Sequence, residues 1–355
     1  MAIHFSEKHR QRLLKGFENK SETDSLFSHD LDVEFSGVYT VHVKNIKTEP
    51  LQDYNKNKDV STGSRYGSTA EVGDEEQTFT MTQDKSLSLS IDKGNNEGQF
   101  NMKKAGEVMN AHRDERIIPA VDTYRLLKWA EKAGIHKELS GAPSKSNIVG
   151  FIVDMHNEML DLGVTDQITL VIGRKYLPML KLSTEWVGLD SLGGKTLPKG
   201  TLGEFDGMPV KPMPTKRMPA NVAWMMIYKG SVISPMKIQK FKAHVDPPGL
   251  SGDLLEFRMI YDAFVIGKKA YGVAVGILNG YVAAAPTVAV ADGSATITGT
   301  AGATIYYTTD GSDPRYSVDA KAYTGKVSVA AGTVVRAYAT ENGKYDSSVT
   351  DFVVT

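Results

Sequence analysis

The 355-residue chain contains no cysteine. That removes disulfides, thiol nucleophiles and cysteine-ligated metals together, and it suits synthesis in a reducing cytoplasm. Long apolar runs are missing as well. No stretch reaches the roughly 18 residues that a membrane-spanning helix needs. The opening "MAIHFSEKHRQRLLKGF" has no apolar core of the kind that marks a secretory signal. A surplus of one charge sign is also lacking, with 41 Lys and Arg against 42 Asp and Glu. A chain with net charge −1 and a pI of ≈ 6.7 offers no basic face for gripping nucleic acid. The eight histidines include no pair at metal-ligand spacing, and no G-x-S-x-G nucleophile elbow occurs.

What is present is an ordinary globular composition, long enough for two or three domains. Its most regular stretch is "QTFTMTQDKSLSLSIDKGNNE", Gln77 to Glu97. Phe79, Met81, Leu87, Leu89 and Ile91 fall on odd positions, and threonines and serines fall on even ones. This period of two marks strands with one apolar and one hydroxylated face. Gln83-Asp84-Lys85 divides the stretch, predicting a β-hairpin with Thr82 opposite Ser86. A two-stranded ribbon is marginal alone. Its apolar stripe must therefore pack on its own domain or be completed by another molecule.

Ahead of it, residues 1–37 read as an arm, with a short helix over Ser6–Phe17 and an extended or mobile "ENKSETDS". "GVYTVHVKNIKT" is a strand, followed by a polar, turn-rich excursion. Asn101–Gly134 carries the longest helical pattern, with Pro119 expected to kink or split it. Ser146–Leu162 is a second helix, and "ITLVIG" is a buried strand after it. Leu254–Leu278 reads as two strands joined in a hairpin at Gly267-Lys268. From Pro286 onward, short strands recur without helical period, predicting an all-β sandwich behind an alanine-rich joint.

Candidate chemistry is thin. "SLGGKT" (Ser191–Thr196) lacks the glycine spacing of a phosphate loop, and no helix can open behind it. Asp154 and Glu158 of "DMHNE" share a helix face, but His156 projects away from both. "RDER" (Arg113–Arg116) reads as surface ion pairs, and "HVDPPGLSG" as a turn. No catalytic, cofactor-binding or metal-ligating residue is assigned.

The order of pieces is more telling. An arm, an excursion with a ribbon, a long helix, an α/β subdomain and returning strands resemble the major capsid proteins of tailed phages, which have the Hong Kong 97 fold. "RYGSTAEVGDEEQTFTMTQDKSLSLSIDKGNNE", "RIIPAVDTYRL", "GEFDGMPV", "MPANV" and "DPPGLSGDLLEFRMIYDAFV" are similar in wording to one branch of that family. The resemblance implies an α+β chain with an N-terminal arm (1–37) and a strand with an extended loop (38–99). It further implies a peripheral domain with a spine helix (100–145 and 241–283), an axial domain (146–240) and an immunoglobulin-like domain (284–355). Phe79, Met81, Leu87, Leu89 and Ile91 would then be an intersubunit contact of the extended loop. Val108, Met109, Ile117, Val121, Tyr124 and Leu127 would be the core face of the spine helix.

The implied function is self-assembly into pentamers and hexamers of an icosahedral shell, built in the host cytoplasm and resident in the virion. Implied partners are other copies of the chain, a separate scaffolding protein, a portal, a maturation protease and connector proteins. Double-stranded DNA would be enclosed without sequence-specific binding, and neither a cofactor nor a membrane would be involved. The tail "ATIYYTTDGSDPRYSVDAKAYTGKVSVAAGTVVRAYATENGKYDSSVT" resembles the immunoglobulin-like module at the C-terminus of chitobiases and hexosaminidases. The matched motif includes Tyr306, Tyr307, Asp310, Gly311, Asp313 and Pro314. On a shell such a module would sit outside, with weak glycan contact as its implied partner chemistry. Two other readings compete: a carbohydrate-active or surface-adhesion protein, and another virion structural protein.

Overall fold

The structure, a computed structural model, describes residues 20–28, 33–37, 39–46, 53–57, 64–66, 71, 74–98, 104–165, 167–183, 187–188, 202–291 and 293–354. The expected helix at Ser6–Phe17 and the "SLGGKT" loop lie outside these residues. Strands β1 (Val33–Ser36), β2 (Thr40–Ile46) and β3 (Asp74–Thr80) form an antiparallel sheet in that order. Of the chain between β2 and β3, only residues 53–57, 64–66 and 71 are among those described. β4 (Gln83–Asp92) follows at once, then a short helix α1 (Lys93–Gly98).

The alternating stretch is therefore strand, as expected, but it is not a hairpin. β3 pairs with β2, placing Phe79 opposite Val41, and β4 leaves for a different sheet. The exchange happens at Met81-Thr82. There the buried carboxylate of Asp262 accepts bonds from the Thr82 N–H (2.7 Å), the Thr82 hydroxyl (3.0 Å) and the Tyr124 hydroxyl (2.8 Å). Gln83-Asp84-Lys85 is the beginning of β4 and makes no turn.

The long helix runs as α2 (Ala105–His112), a π-helical turn (Arg113–Ile117) and α3 (Ile118–Glu131). Pro119 has no N–H for the carbonyl four residues back, and in an α-helix its ring would press on that carbonyl. The wider turn lies just ahead of it, with the Ile118 N–H bonded to the Arg113 carbonyl five residues away. The helix passes its proline by widening, so the expected split does not occur.

Next come β5 (Ile135–Glu138), α4 (Ile148–Asp161), β6 (Ile168–Gly173), α5 (Leu177–Lys181) and the short β7 (Val187–Gly188). β8 (Gly203–Phe205), β9 (Met208–Met213), β10 (Val222–Tyr228) and β11 (Val232–Ile233) continue the chain. The ten-residue strands β12 (Met236–Val245) and β13 (Gly252–Tyr261), the short β14 (Phe264–Val265) and β15 (Val273–Ile277) complete the body.

Besides the short pair β11–β14, two larger sheets draw on these strands. The first has seven in the order β5-β15-β10-β6-β9-β8-β7. Its central strands are buried on both faces, which suits their continuous apolar runs. α4 covers one face through Ile148, Ile152, Met155 and Met159, and α3 covers the other through Leu126, Trp129 and Ala130. The second sheet is the antiparallel β12-β13-β4. Val108 and Met109 lie against its Ile91, Leu89 and Leu255, and Ile117, Val121 and Tyr124 against Met259 and Tyr261.

Two expectations are corrected here. β13 and β15 belong to different sheets, and Gly267–Gly272 is a 3₁₀ segment between them. Alternating β13 fits a sheet with one open face, whereas all-apolar β15 fits an interior strand. The seven-stranded sheet accordingly takes β5 and β15 from outside 146–240. On the long helix, Leu126 is fully buried and Leu127 only half-buried. α3 is packed between both sheets, so its core surface is wider than one stripe.

The C-terminal residues form two further sheets. β16 (Thr287–Ala291), β17 (Ser294–Thr298) and β20 (Val327–Ser328) make one. β18 (Thr304–Thr308), β19 (Lys321–Ala322), β21 (Val334–Thr340) and β22 (Thr350–Val353) make the other. Ala295, Ile297, Ile305, Val335, Ala337 and Ala339 fill the space between them.

Candidate functional site

The segment Lys20–Ser28 is polar in sequence, yet it is built into the body. Leu26 and Phe27 enter the core beside Trp129. The polar residues meet Asp122, a carboxylate of α3 with no exposure to solvent. It accepts bonds from the Ser21 hydroxyl (2.8 Å), the Glu22 N–H (3.0 Å), the Thr23 hydroxyl (2.7 Å) and Arg217 Nη1 (2.9 Å). One turn on, Arg125 donates to Thr23, Asp24 and Ser234 and lies 4.8 Å from the Phe27 ring centre. Lys211 reaches Ser25 at 2.7 Å, and burial pushes its ammonium pKa down. A cavity of ≈ 420 Å³ opens beside this network, lined by Lys20, Asp24, Arg113, Asp114, Asp122 and Arg125 among others. The expectation that "ENKSETDS" is extended or mobile is corrected for its described residues, Lys20–Ser25, whose hydroxyls and N–H groups are the means of attachment.

The second junction joins the C-terminal module to the end of the long helix. Arg315, 5% exposed in its side chain, donates from Nη1 to the Gly134 carbonyl at 2.7 Å. Asp313 holds it from the other side through Nε (3.1 Å) and Nη2 (2.8 Å). Burial opposes ionisation of Asp313, but the Arg315 pair outweighs it and keeps the carboxyl below its usual range. The Tyr316 hydroxyl donates to the Lys132 carbonyl (2.9 Å), and the Tyr271 hydroxyl donates to Asp313 (3.2 Å). His136 on β5 lies 3.0 Å from the Asp346 carbonyl and 2.8 Å from that of Ala130. A neutral imidazole can donate to one of these two acceptors. Burial foremost, with the nearby Arg315 charge, still lowers the His136 pKa.

The residues singled out in sequence divide among these parts. Met81 and Ile91 are buried within one chain, and Phe79, Leu87 and Leu89 are half-buried. Phe79 stacks on Phe264 at 4.7 Å, and Leu87 stands opposite Phe257. Within one chain, Phe79 and Met81 pack against Val41, Ile260 and Phe264, and Leu89 and Ile91 against Leu255 and Met109. In the module, Tyr306 stacks on Tyr338, Tyr307 faces Tyr323, and Asp310 accepts from Ser312 to shape the turn. Gly311 supplies a φ of +78° and Pro314 is buried. Of that motif, Asp313 reaches the body by accepting from the Tyr271 hydroxyl. Arg315 and Tyr316 were missed; they directly follow the Asp-Pro pair that reads as a plain turn.

His156 pairs with Asp206 at 2.6 Å and Glu158 with Lys137 at 2.7 Å, so "DMHNE" does not converge on one point. Among the described residues, no group of three acidic or histidine side chains could hold a metal ion. Nor is any described helix long and apolar enough to cross a membrane.

Residues 283–351 match the family model of the chitobiase/beta-hexosaminidase C-terminal domain. No curated protein matches the chain. Solved structures do. The mature capsid of bacteriophage PhiM1 has a TM-score of 0.57 at 13% identity, over 78% of this chain and 93% of that one. The capsid of cyanophage P-SCSP1u also gives 0.57, at 8% identity, over 77% and 93%. This chain has a phage-capsid fold. The acid-stable capsid of Helicobacter pylori bacteriophage KHP30 gives 0.51 at 12% identity, over 78% and 94%. The share of this chain that the capsid fold covers is close to the part preceding residue 283, where the family model takes over.

Proposed function

We propose that the chain is a shell-forming capsid subunit of a tailed phage, assembling into pentamers and hexamers around double-stranded DNA. The observation that carries this reading is the match of the whole body to capsid structures over more than nine-tenths of their length. In that reading the long helix is the spine, β12-β13-β4 is the peripheral sheet, and the seven-stranded sheet is the axial domain. The β2–β3 ribbon with the excursion 47–73 is the extended loop. It replaces the predicted hairpin as the element that reaches a neighbour.

Self-assembly of this kind needs no strong single contact. Many weak contacts of fixed geometry close a shell, and each copy engages several neighbours at once. Scaffolding protein, portal and maturation protease are the partners this reading calls for, and the C-terminal module is displayed on the outside. A carbohydrate-active protein is disfavoured by the body, whose likeness is to capsids. Electron microscopy of the purified chain, alone and with its candidate scaffold, tests the proposal. Closed shells or five- and six-fold capsomers are expected; a strictly monomeric species under both conditions would sink it.

A further inference from the structure

The module could have hung from the body by its Tyr281–Pro286 joint alone. Instead the joint is pinned. The Tyr345 N–H donates to the Tyr281 carbonyl, and the Ala283 N–H donates to the Tyr345 carbonyl, both at 2.9 Å. Beyond the joint, the module touches four places that belong to different parts of the body. Arg315 and Tyr316 take the carbonyls of Gly134 and Lys132, just past the end of α3. Asp346 meets His136 on β5. Asp313 meets Tyr271 in the segment entering β15. The Tyr345 hydroxyl donates to the Ala220 carbonyl ahead of β10 at 3.0 Å.

The end of the long helix meets the entry to the seven-stranded sheet at this spot. Gly134 lies so close to the sheet's entry that an added Cβ would stand 2.4 Å from the Ala270 backbone. The end of a helix leaves carbonyls without intrahelical partners and carries partial negative charge, so it accepts a cation. The body offers as a socket the Lys132 carbonyl at the helix cap and the Gly134 carbonyl two residues on. The module supplies a planar five-donor guanidinium, already aimed by Asp313.

We infer that the module is a clasp: its Asp313–Tyr316 loop fixes the angle between the long helix and the seven-stranded sheet. Display on a surface is then a second role, compatible with the first. The inference rests on contacts inside one subunit, so it stands or falls separately from the capsid reading.

The chain lacks cysteine, which makes pairwise spin labelling direct. Labels at Glu107→Cys on α2 and Asp161→Cys on α4, both exposed, report the angle as a distance distribution in the unassembled full chain. Arg315→Ala is expected to broaden that distribution. It should also raise amide exchange at residues 132–136 and 281–283 by about tenfold or more, the scale of one charge-assisted bond. Exchange in β18 and β21 should stay as in the parent. Tyr316→Phe removes one hydroxyl and should act in the same direction more weakly; it carries the test if Arg315→Ala does not fold. An unchanged distribution in the folded variants, or exchange that rises only within residues 308–320, would overturn the clasp and leave Arg315 as a residue of its own loop.

Discussion

The long helix is gripped twice, once near its middle by the segment Lys20–Ser28 and once past its end by the C-terminal module. The two grips have opposite polarity. At the middle, the helix owns the buried charge, Asp122, and the attached segment brings hydroxyls and an N–H to it. At the end, the attached module owns the charge, Arg315, and the body brings carbonyls. The first arrangement buries a full anion among Arg125, Arg217 and Lys211, and each member depends on the rest. The second borrows the partial charge that every helix terminus carries. The network broken on one side leaves several buried charges uncompensated, whereas loss of Arg315 leaves the single carboxylate of Asp313 and carbonyls that can turn to water. Loss of the first grip should therefore cost more than loss of the second.

The largest effect is expected from Asp122→Ala. It removes the buried carboxylate that Arg217 donates to and the acceptor shared by Ser21, Glu22 and Thr23. Breaking one side of a buried pair typically costs about 3–5 kcal/mol, which should lower the melting temperature of the full chain by on the order of ten degrees in calorimetry. A shift within experimental error would show that Leu26 and Phe27 hold the segment unaided.

A middle-sized effect should come from the pair Leu87→Asp and Leu89→Asp. Since Leu89 packs with Leu255 and Met109 and Leu87 stands opposite Phe257, these changes should lower the melting temperature of the unassembled subunit. Each leucine loses up to roughly 1.5–3 kcal/mol of burial, scaled down by its partial exposure, and each carboxylate adds a desolvation cost. Normal subunit melting with failed assembly would return the stripe to a contact between copies.

The smallest effect concerns His136 and sharpens the account of the second grip. Its folded-state pKa lies below the usual 6.5, so above that pH both folded and unfolded forms are neutral and nothing is gained or lost. As pH falls through 6.5 the unfolded chain binds a proton that the folded chain resists, and stability declines. Melting at pH 7.5 and pH 5.5 should therefore differ less in His136→Gln than in the parent. An equal difference would mean that His136 does not titrate against folding.

How much of this was legible in the sequence differs from part to part. The period of two in Phe79–Ile91 announced strands, but their partners could not be read. β4 pairs with β13, Leu89 against Leu255, and such a distant pairing leaves no local mark. Asp262, which sends the chain from one sheet to the other at Thr82, looks like any acidic residue at a strand end. Polar "ENKSETDS" read as extended or mobile because solvent is the default partner of hydroxyls; the buried carboxylate that outbids water lies on α3. Arg315 was invisible for a similar reason. Its acceptor on the body is a main-chain carbonyl, that of Gly134, which carries no side-chain signature. The apolar pattern of the long helix did hold a clue, since its step from His112 to Ile117 is five residues where three or four are usual.

That five-residue step has a mechanical meaning. A π turn in a helix is a line defect, one surplus residue absorbed without a break, comparable to a dislocation in a lattice. Such a defect can in principle glide, turning each residue it passes by about 100°. Here it is pinned. Toward the C-terminus stands Pro119, which cannot enter a regular α-helical turn at full cost-free fit. Toward the N-terminus stand Val108 and Met109, which gliding would rotate away from Ile91 and Leu255. The defect therefore stays where it keeps Met109 and Val121 facing the same sheet, and a helix with an irregular thread behaves as a rod of fixed twist.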